Sequence, residues 1–350
     1  MLNFPSSGTG SKTTIVAIGV ATVAFIAVSI GKKYSRNETG KSGILGENGD
    51  NKNENYDSNG DRDELKSQLK SLLTQHNGCT KQKEVLEVID QLVALNPVDK
   101  DCSKNDLFTG LYYTLTAPPF PGKIENDDNI SQFTLGRLSF NIFQPNDLIC
   151  TVKSIQNPIA VKTTKDNEIT SGGGVYNFTY DVVVDVIIHT TPSDGQKNEN
   201  QDDGTDGELE AIMINKGFCY PSNDVNNRMM VTFTGSSLRP KKSKNHHKNK
   251  AAMLETLWTR NFANAYQKAD QERSYSGWMM HYGLQWFLGL TYPTDNSEEE
   301  DNTFQFEMKK PMSFYLDVLY LDKDIRITKG SRGTVVVAER TKGEHLSIAA

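Results

Sequence analysis

The C-terminal stretch of residues 311–340 constrains the fold more than any other part of the chain. It contains three apolar runs of strand length, which are separated by DKD at residues 322–324 and by GSRG at residues 330–333. Apolar side chains alternate with others from Phe314 to Tyr320, as they do in a strand with one buried face. Either glycine of the second break can adopt the positive φ that a short hairpin loop requires. The stretch therefore predicts three consecutive antiparallel strands in a meander.

Two apolar stripes with helical spacing precede the strands. The first lies in residues 61–78, where acidic residues occupy the first turn and Gly78 is placed to end a helix. The second begins after Thr80, which can cap a helix, and stops at an Asn-Pro pair. The stripes predict an α-helical hairpin over residues 61–97, in which the helices pack on each other or lie together across the end of a barrel.

Strand patterns fill the region between the hairpin and the meander. The first, residues 110–116, ends before Pro118 and Pro119, because proline cannot donate to a strand ladder. Further β-rich runs lie at residues 133–143, 148–155, 176–190, 210–220, 228–235 and 304–308. About eight to ten strands at hairpin-like spacing favour an antiparallel β-barrel, since closure removes exposed edges. We therefore expect a mainly β domain over residues 104–340, with insertions at residues 193–206, 239–272 and 294–302.

The order of these motifs resembles that of the plastid lipid-associated proteins, the fibrillin family. The opening signals are LKSQLKSLL at residues 65–73, QKEVLEVI at residues 82–89 and LVALNP at residues 92–97. The closing signal is YLDKDIRITKGSRGTVVV at residues 320–337, which is similar to the family's Leu-Asp pair followed by Leu-Arg-Ile and a Gly-rich turn. The resemblance implies a lipocalin-like barrel in a chloroplast or other plastid, associated with thylakoids or plastoglobules.

The resemblance also implies how the barrel closes. In the family the first strand carries Gly-x-Trp, and here Gly110 is followed by Tyr112 in the place of the tryptophan. The arginine of a closing strand, Arg326, is then expected to stack on this ring through a cation–π contact. The expected structural closure residues are Gly110, Tyr112, Asp322 and Arg326.

The barrel interior is the expected ligand site, because a barrel of about eight strands can hold one small ligand. Aromatic residues are concentrated in residues 276–292, a composition that is found both in cores and in ligand pockets. The residues expected to contact the ligand are Tyr113, Phe140, Trp278, Trp286 and Phe287. Such a lining suits an isoprenoid, a carotenoid, a quinone or an acyl chain.

The N-terminal residues 1–36 contain an uncharged and mostly apolar stretch, residues 13–31, which basic residues flank. A helix of this length, at about 1.5 Å per residue, just crosses the hydrocarbon core of a membrane, so it can be a retained transmembrane anchor. Two other interpretations are a cleaved signal peptide and the two-part address of a plastid protein. Residues 37–60 are polar and predict a disordered linker.

The sequence carries no recognisable catalytic, metal or cofactor motif. H-E-x-x-H, G-x-S-x-G and the dinucleotide fingerprint are absent, and the four cysteines are too widely separated for a zinc or redox motif. Cys79 and Cys102 flank one predicted helix and can form a disulfide, although separate thiols are our expectation. Asp322 and Asp324 suit turn capping and ion pairing better than acid–base catalysis. The net charge of −6 argues against a nucleic-acid partner.

We expect a protein without enzymatic activity or cofactor that binds or organises hydrophobic small molecules at a membrane. An alternative is a scaffold that recruits enzymes of lipid metabolism through an amphipathic helix at residues 251–272, on which Leu254, Trp258 and Tyr266 mark one face. A further alternative is a lipid- or quinone-modifying enzyme, which would require a polar constellation inside the barrel.

Overall fold

The described part of the chain begins at residue 58. The structure is a computed structural model, and it describes residues 58–98, 101–124, 130–139, 143, 145–162, 178–190, 207–241, 248–262, 290–291, 302–311 and 313–341. The anchor or targeting segment expected in residues 1–36, and the linker up to residue 57, lie outside these ranges. No helix within them is both long enough and apolar enough to span a membrane.

Four α-helices and two short 3₁₀ turns occur among the described residues. The helices are α1 Ser58–Gln75, α2 Lys83–Ala94, α3 Leu135–Leu138 and α4 Lys248–Phe262, and the 3₁₀ turns are Cys102–Lys104 and Asp106–Phe108. Helix α1 takes in the last three residues of the predicted linker. Helix α2 starts three residues after Thr80, and no side chain caps it. Gly78 closes the turn after α1 as predicted, since its φ is 75° and its N–H bonds to the Leu73 carbonyl at 2.7 Å.

The described strands belong to one antiparallel sheet. They are β1 Gly110–Thr114, β2 Gln132–Thr134, β3 Ile149–Ile159, β4 Phe178–Thr179, β5 Val182–His189, β6 Glu208–Pro221, β7 Arg228–Pro240, β8 Leu290–Thr291, β9 Phe304–Met308, β10 Ser313–Leu321, β11 Ile325–Gly330 and β12 Val335–Arg340. Strand β10 pairs with β11, and β11 pairs with β12. The predicted C-terminal meander is thus confirmed.

Eight of the strands close into a barrel. Their order around it is β6, β5, β3, β1, β12, β11, β10 and β7, and β7 pairs again with β6. Every pairing in the ring is antiparallel, which confirms the predicted mainly β fold and its antiparallel barrel. Strands β9 and β8 extend the sheet beside β7, whereas β4 adjoins β6 and β2 adjoins β3. Closure gives each of these eight strands a partner on both sides, so none of the eight is an edge strand.

Helices α1 and α2 pack on the outer face of the meander. Their apolar stripes contribute Leu69, Leu73, Val85, Val88, Ile89 and Leu92 to one buried cluster. The meander contributes Tyr320, Ile325, Ile327 and Val337 to the same cluster. The two helices also contact each other. The predicted hairpin therefore packs on itself and on the side of the barrel, not across its end.

The predicted strand at residues 133–143 is only partly a strand. Strand β2 covers its first residues, and helix α3 follows at once, capped by the Thr134 hydroxyl, which accepts from the Arg137 N–H at 3.3 Å. Leu135 and Leu138 of α3 are fully buried. Apolar residues three apart fit one face of a helical turn, and the same short run also reads as a strand, so the pattern alone did not separate the two.

Apolar residues from alternate strand positions line the barrel interior. On β5, Val184, Val186 and Ile188 are buried on one face, as the alternation of this strand predicts. They belong to a first interior cluster, which also includes α3 and the apolar face of α4. On β10, Leu316 and Val318 belong to a second interior cluster.

Candidate functional site

Arg326 is a charged side chain buried inside the barrel. It lies on β11 and points inward, whereas its neighbours Ile325 and Ile327 point outward to the helices. Arg326 is 3% exposed. Its Cζ lies 4.2 Å from the centroid of the Tyr112 ring and 5.1 Å from that of the Phe108 ring. The structure thus brings together Tyr112 and Arg326, the pair that the family resemblance placed at the barrel closure.

The guanidinium of Arg326 is only partly hydrogen-bonded. Its Nη2 donates to Oδ1 of Asn157 at 2.6 Å. Its Nε and Nη1 have no hydrogen-bond partner in the described part of the chain, and none of the described carboxylates forms an ion pair with it. A guanidinium keeps its positive charge in proteins, and a buried charge without a counter-charge is costly. The barrel interior, as far as it is described, therefore holds a cation with unused donors.

Three titratable groups that interact with Arg326 are neutral at physiological pH. Burial raises the pKa of the Tyr112 and Tyr180 hydroxyls and of the Cys219 thiol, and the charge of Arg326 lowers each pKa by a smaller amount. The Tyr112 hydroxyl also donates to the Leu107 carbonyl. None of these groups supplies the negative charge that would balance Arg326.

Apolar side chains from several elements surround this cation. The buried members of the second interior cluster include Phe108, Ile159, Met229, Val231, Leu316, Val318 and Leu321. Phe178, Tyr180 and Phe233 pack against this cluster and are only partly buried. The centroids of the Tyr180 and Phe233 rings are 6.3 Å apart, in an edge-to-face arrangement. The interior therefore combines one buried cation with a largely apolar lining.

Phe108 and Asn157 complete the surroundings of Arg326, and the sequence analysis did not identify them. Phe108 lies in the 3₁₀ turn before β1, and Asn157 is 5% exposed near the C-terminal end of β3. A polar residue at an inward position of a strand is the signal that could have identified Asn157. A bulge in β3 between Val152 and Ser154 hides this signal, because it changes which positions face inward.

Gly110 and Asp322, the other two expected closure residues, have separate structural roles. Gly110 has a φ of 133°, and a Cβ at this position would meet Arg340 Nε at 2.8 Å. The residue therefore allows the Arg340 side chain to pack directly on the start of β1.

Asp322 links helix α1 to the turn between β10 and β11. Its Oδ1 accepts from the N–H groups of Asp324 and Ile325 at 2.8 and 2.7 Å. Its Oδ2 accepts from the Tyr320 hydroxyl at 2.8 Å and from Lys66 Nζ at 3.0 Å. Burial on its own raises the pKa of this carboxyl, but the hydrogen bonds outweigh burial and hold the pKa below its usual value. The geometry is that of a turn cap with an ion pair.

Tyr113 lies on the outside of the barrel. It occupies the face of β1 opposite to Tyr112 and lines a groove of about 650 Å³ together with residues of α1 and β12. The two lysines of this groove are already paired, Lys66 with Asp63 and Asp324 and Lys70 with Glu339 at 2.6 Å. Tyr113 therefore does not line the barrel interior, and the expectation that it contacts a ligand there is wrong.

The other expected ligand contacts lie outside the described residues. They are Phe140, Trp278, Trp286 and Phe287. The four cysteines are all described and are free thiols, as expected, so Cys79 is not bonded to Cys102. Within the ranges that the structure describes, no group of His, Cys, Asp or Glu side chains could hold a metal ion.

The apolar face of helix α4 is covered by the core. Trp258 is 1% exposed, and Phe262 is fully buried. Their ring centroids are 4.5 Å apart, and they lie 6.0 and 5.6 Å from that of Phe304 on β9. A partner that bound this helix would instead meet its opposite face, where Glu255 and Arg260 are exposed.

These features define a class of protein, a closed antiparallel β-barrel of eight strands with a largely apolar interior and a buried arginine. Comparison with protein-family models, curated proteins and solved structures gives no match for the chain. The chemistry of the barrel itself is therefore the basis for a functional proposal.

Proposed function

We propose that the protein binds a hydrophobic small molecule inside its β-barrel and has no enzymatic activity of its own. The observation that carries the proposal is the closed ring of eight strands with apolar side chains on its inner face. A barrel of this size encloses enough room for side chains or for one small ligand. Phe178, Tyr180 and Phe233 belong to the interior and are only partly buried, which supports access of a ligand beside them.

More specifically, we propose that the barrel is lipocalin-like. It is supported by the contact between Tyr112 of β1 and Arg326 of β11, two strands that flank β12 in the closed ring. Together with the sequence resemblance to the fibrillin family, it leads to isoprenoids, carotenoids, quinones or acyl lipids as ligands. Thylakoids or plastoglobules are then the proposed membranes.

Two observations favour binding over the alternatives of catalysis and enzyme recruitment. Both carboxylate oxygens of Asp322 accept hydrogen bonds from fixed partners, which leaves this residue poorly suited to moving protons. Trp258 is buried, so the amphipathic face of α4 is not offered to a partner.

Analysis of co-purifying lipids tests the proposal. The full chain is purified in the presence of plastid membranes and washed, and its bound lipids are extracted and identified by mass spectrometry. We expect one class of hydrophobic compound in near-equimolar amount. Met229→Trp, which enlarges a buried interior side chain, should lower this amount, whereas Val225→Trp, at a 40% exposed position, should not. A folded wild-type protein without bound lipid, or equal loading of both variants, would contradict the proposal.

The plastid setting has its own test. A fluorescent fusion of the full chain is expected to co-localise with plastid membranes, and a distribution over other membranes would contradict this part of the proposal. Sequencing of the mature N-terminus then distinguishes a retained anchor from a cleaved targeting segment, because a chain that begins after residue 31 has lost the apolar stretch.

A further inference from the structure

We propose that the ligand of the barrel carries a carboxylate and that Arg326 binds it. This inference rests on the proposed binding of a hydrophobic molecule in the interior and adds the chemical class of that molecule, a long-chain acid. Arg326 is 3% exposed, and its Nε and Nη1 find no acceptor among the described residues. Buried polar groups nearly always have a partner. A buried guanidinium with two unused donor nitrogens and no counter-charge in the described part of a binding barrel therefore marks the position of an anion.

The guanidinium has one edge available for a carboxylate. An arginine has two such edges, each with a pair of parallel N–H groups, and Nη2 contributes one hydrogen to each. Asn157 accepts from Nη2 at 2.6 Å and therefore uses one edge. The second edge can donate two parallel hydrogen bonds to the two oxygens of a carboxylate, which is the common geometry of arginine–carboxylate pairs.

The surrounding residues hold the Arg326 side chain in place before a ligand arrives. The rings of Tyr112 and Phe108 lie 4.2 and 5.1 Å from Cζ, and the Tyr112 hydroxyl is in turn bonded to the Leu107 carbonyl. Because the cation is already ordered, binding a carboxylate does not require loss of further rotamer freedom by this side chain.

The described acidic groups nearby do not take the place of a ligand. Tyr180 and Cys219 are neutral, because burial raises the pKa of each. The Asp181 carboxylate accepts from the Gly217 N–H at 3.1 Å and forms no ion pair with Arg326. A hydrocarbon chain that ends in a carboxylate satisfies both parts of the interior, the cation and its apolar lining.

Comparison of oleic acid with oleyl alcohol tests the inference, because the two ligands share one chain and differ in the head group. The delipidated full-length protein is titrated with each ligand by isothermal calorimetry near neutral pH. We expect the wild type to bind the acid at least about tenfold more tightly than the alcohol, which corresponds to about 1.4 kcal/mol. Equal affinities would overturn the inference and leave the proposed function intact.

Two variants test whether Arg326 causes the preference for the acid over the alcohol. Arg326→Gln removes the charge and should reduce the preference to less than about twofold, while the alcohol still binds. Arg332→Gln, in the exposed turn after β11, is the matched control and should keep the full preference. A preference that survives in Arg326→Gln would overturn the role of Arg326. If neither ligand binds the wild type, acyl chains are removed from the proposed function and the carboxylate inference fails with them.

A measurement on the wild type alone covers the case in which Arg326→Gln does not fold. In ¹³C NMR spectra of oleate labelled at its carboxyl carbon, the bound carboxyl should remain ionised when the pH falls through the titration range of the unbound acid. A bound carboxyl that titrates like the unbound acid would overturn the inference.

Discussion

Arg326 connects three residues that belong to separate elements of the chain. Phe108 comes from a 3₁₀ turn, Tyr112 from β1 and Asn157 from β3, and all contact the same guanidinium. These residues lie far before Arg326 in the sequence, so the contacts exist only in the closed barrel. A change at this position therefore acts on closure as well as on binding, and the two effects require different measurements.

A double-mutant cycle measures the part of Arg326 in closure. Arg326→Ala should lower the free energy of unfolding more than Arg332→Ala, whose side chain lies in an exposed turn. With Tyr112→Leu as the second change, we expect a coupling above about 0.5 kcal/mol, as for side chains in contact. The coupling is the decisive quantity, because an unpaired buried charge is itself costly. Additive effects in urea unfolding would mean that the two side chains do not interact in solution.

Asp322→Asn should lower the free energy of unfolding by about 2 to 3 kcal/mol near neutral pH, because it removes one of the three carboxylates paired with buried Lys66 and the charged acceptor of the bonds from Tyr320 and the turn. The folded-state pKa of Asp322 lies below its usual value of 3.8. Its contribution to stability is therefore present above this value and is lost as the pH falls through the folded-state pKa. The difference between the wild type and Asp322→Asn should shrink below about pH 4.

Urea unfolding between about pH 3 and about pH 7 measures this difference. Asp90→Asn, on the exposed face of α2, is the matched control and should change the stability by less than about 0.5 kcal/mol at every pH. A gap between the wild type and Asp322→Asn that is as large at the lowest pH as at neutral pH would show that the carboxylate charge does not stabilise the fold.

At the scale of the elements, Gly78 joins the helical hairpin to the chain that follows β1. Its φ is 75°, and a Cβ would lie 2.3 Å from the backbone nitrogen of Ala117, whose N–H bonds to the Gly78 carbonyl at 2.9 Å. Gly78→Ala should therefore cost about 2 to 4 kcal/mol, from the positive φ and from the clash. Gly333→Ala isolates the φ term, since Gly333 has a φ of 82° and no atom within 4 Å of its Cβ position. If thermal unfolding shows the same loss of stability for Gly78→Ala as for Gly333→Ala, the predicted clash at Gly78 does not occur.

Elements with a regular apolar period could be predicted from the sequence. Val184, Val186 and Ile188 alternate on β5 because one face of this strand is buried, and the stripes of α1 and α2 have the helical period for the same reason. Strand β10 contains a feature that alternation alone does not predict. A bulge between Val318 and Tyr320 turns Tyr320 outward, although its spacing places it in phase with the inward residues. A bulge adds one residue without any mark in the sequence.

The candidate site also contains some contacts that the sequence could predict and others that it could not. The contact of Tyr112 with Arg326 could be predicted because the family resemblance implies it and because closure of the barrel brings β1 close to the last strands of the chain. Asn157 could not, since its inward orientation depends on the bulge in β3. The outward position of Tyr113 follows from alternation once Tyr112 is known to point inward.

At the scale of the whole molecule, the thiols report on the integrity of the barrel. Cys102, Cys150 and Cys219 are buried, whereas Cys79 is partly exposed. Burial also raises the pKa of the Cys150 thiol to about 12, and only a thiolate reacts readily. We expect an aromatic disulfide reagent to modify Cys79 rapidly in the native protein and all four cysteines in denaturant. Cys79→Ser should abolish the rapid reaction. Rapid modification of more thiols, or only two reactive thiols in denaturant, would contradict this arrangement.

The barrel cannot close during synthesis until β12 has been made. Strand β12 pairs with β1 and β11, yet it is the last barrel strand to leave the ribosome. At a synthesis rate of about 5 to 20 residues per second, about ten seconds or more pass between the synthesis of β1 and that of β12. During that time one side of the nascent sheet can pair with other chains. We therefore expect the nascent chain to be open to such pairing until its residue 340 has emerged.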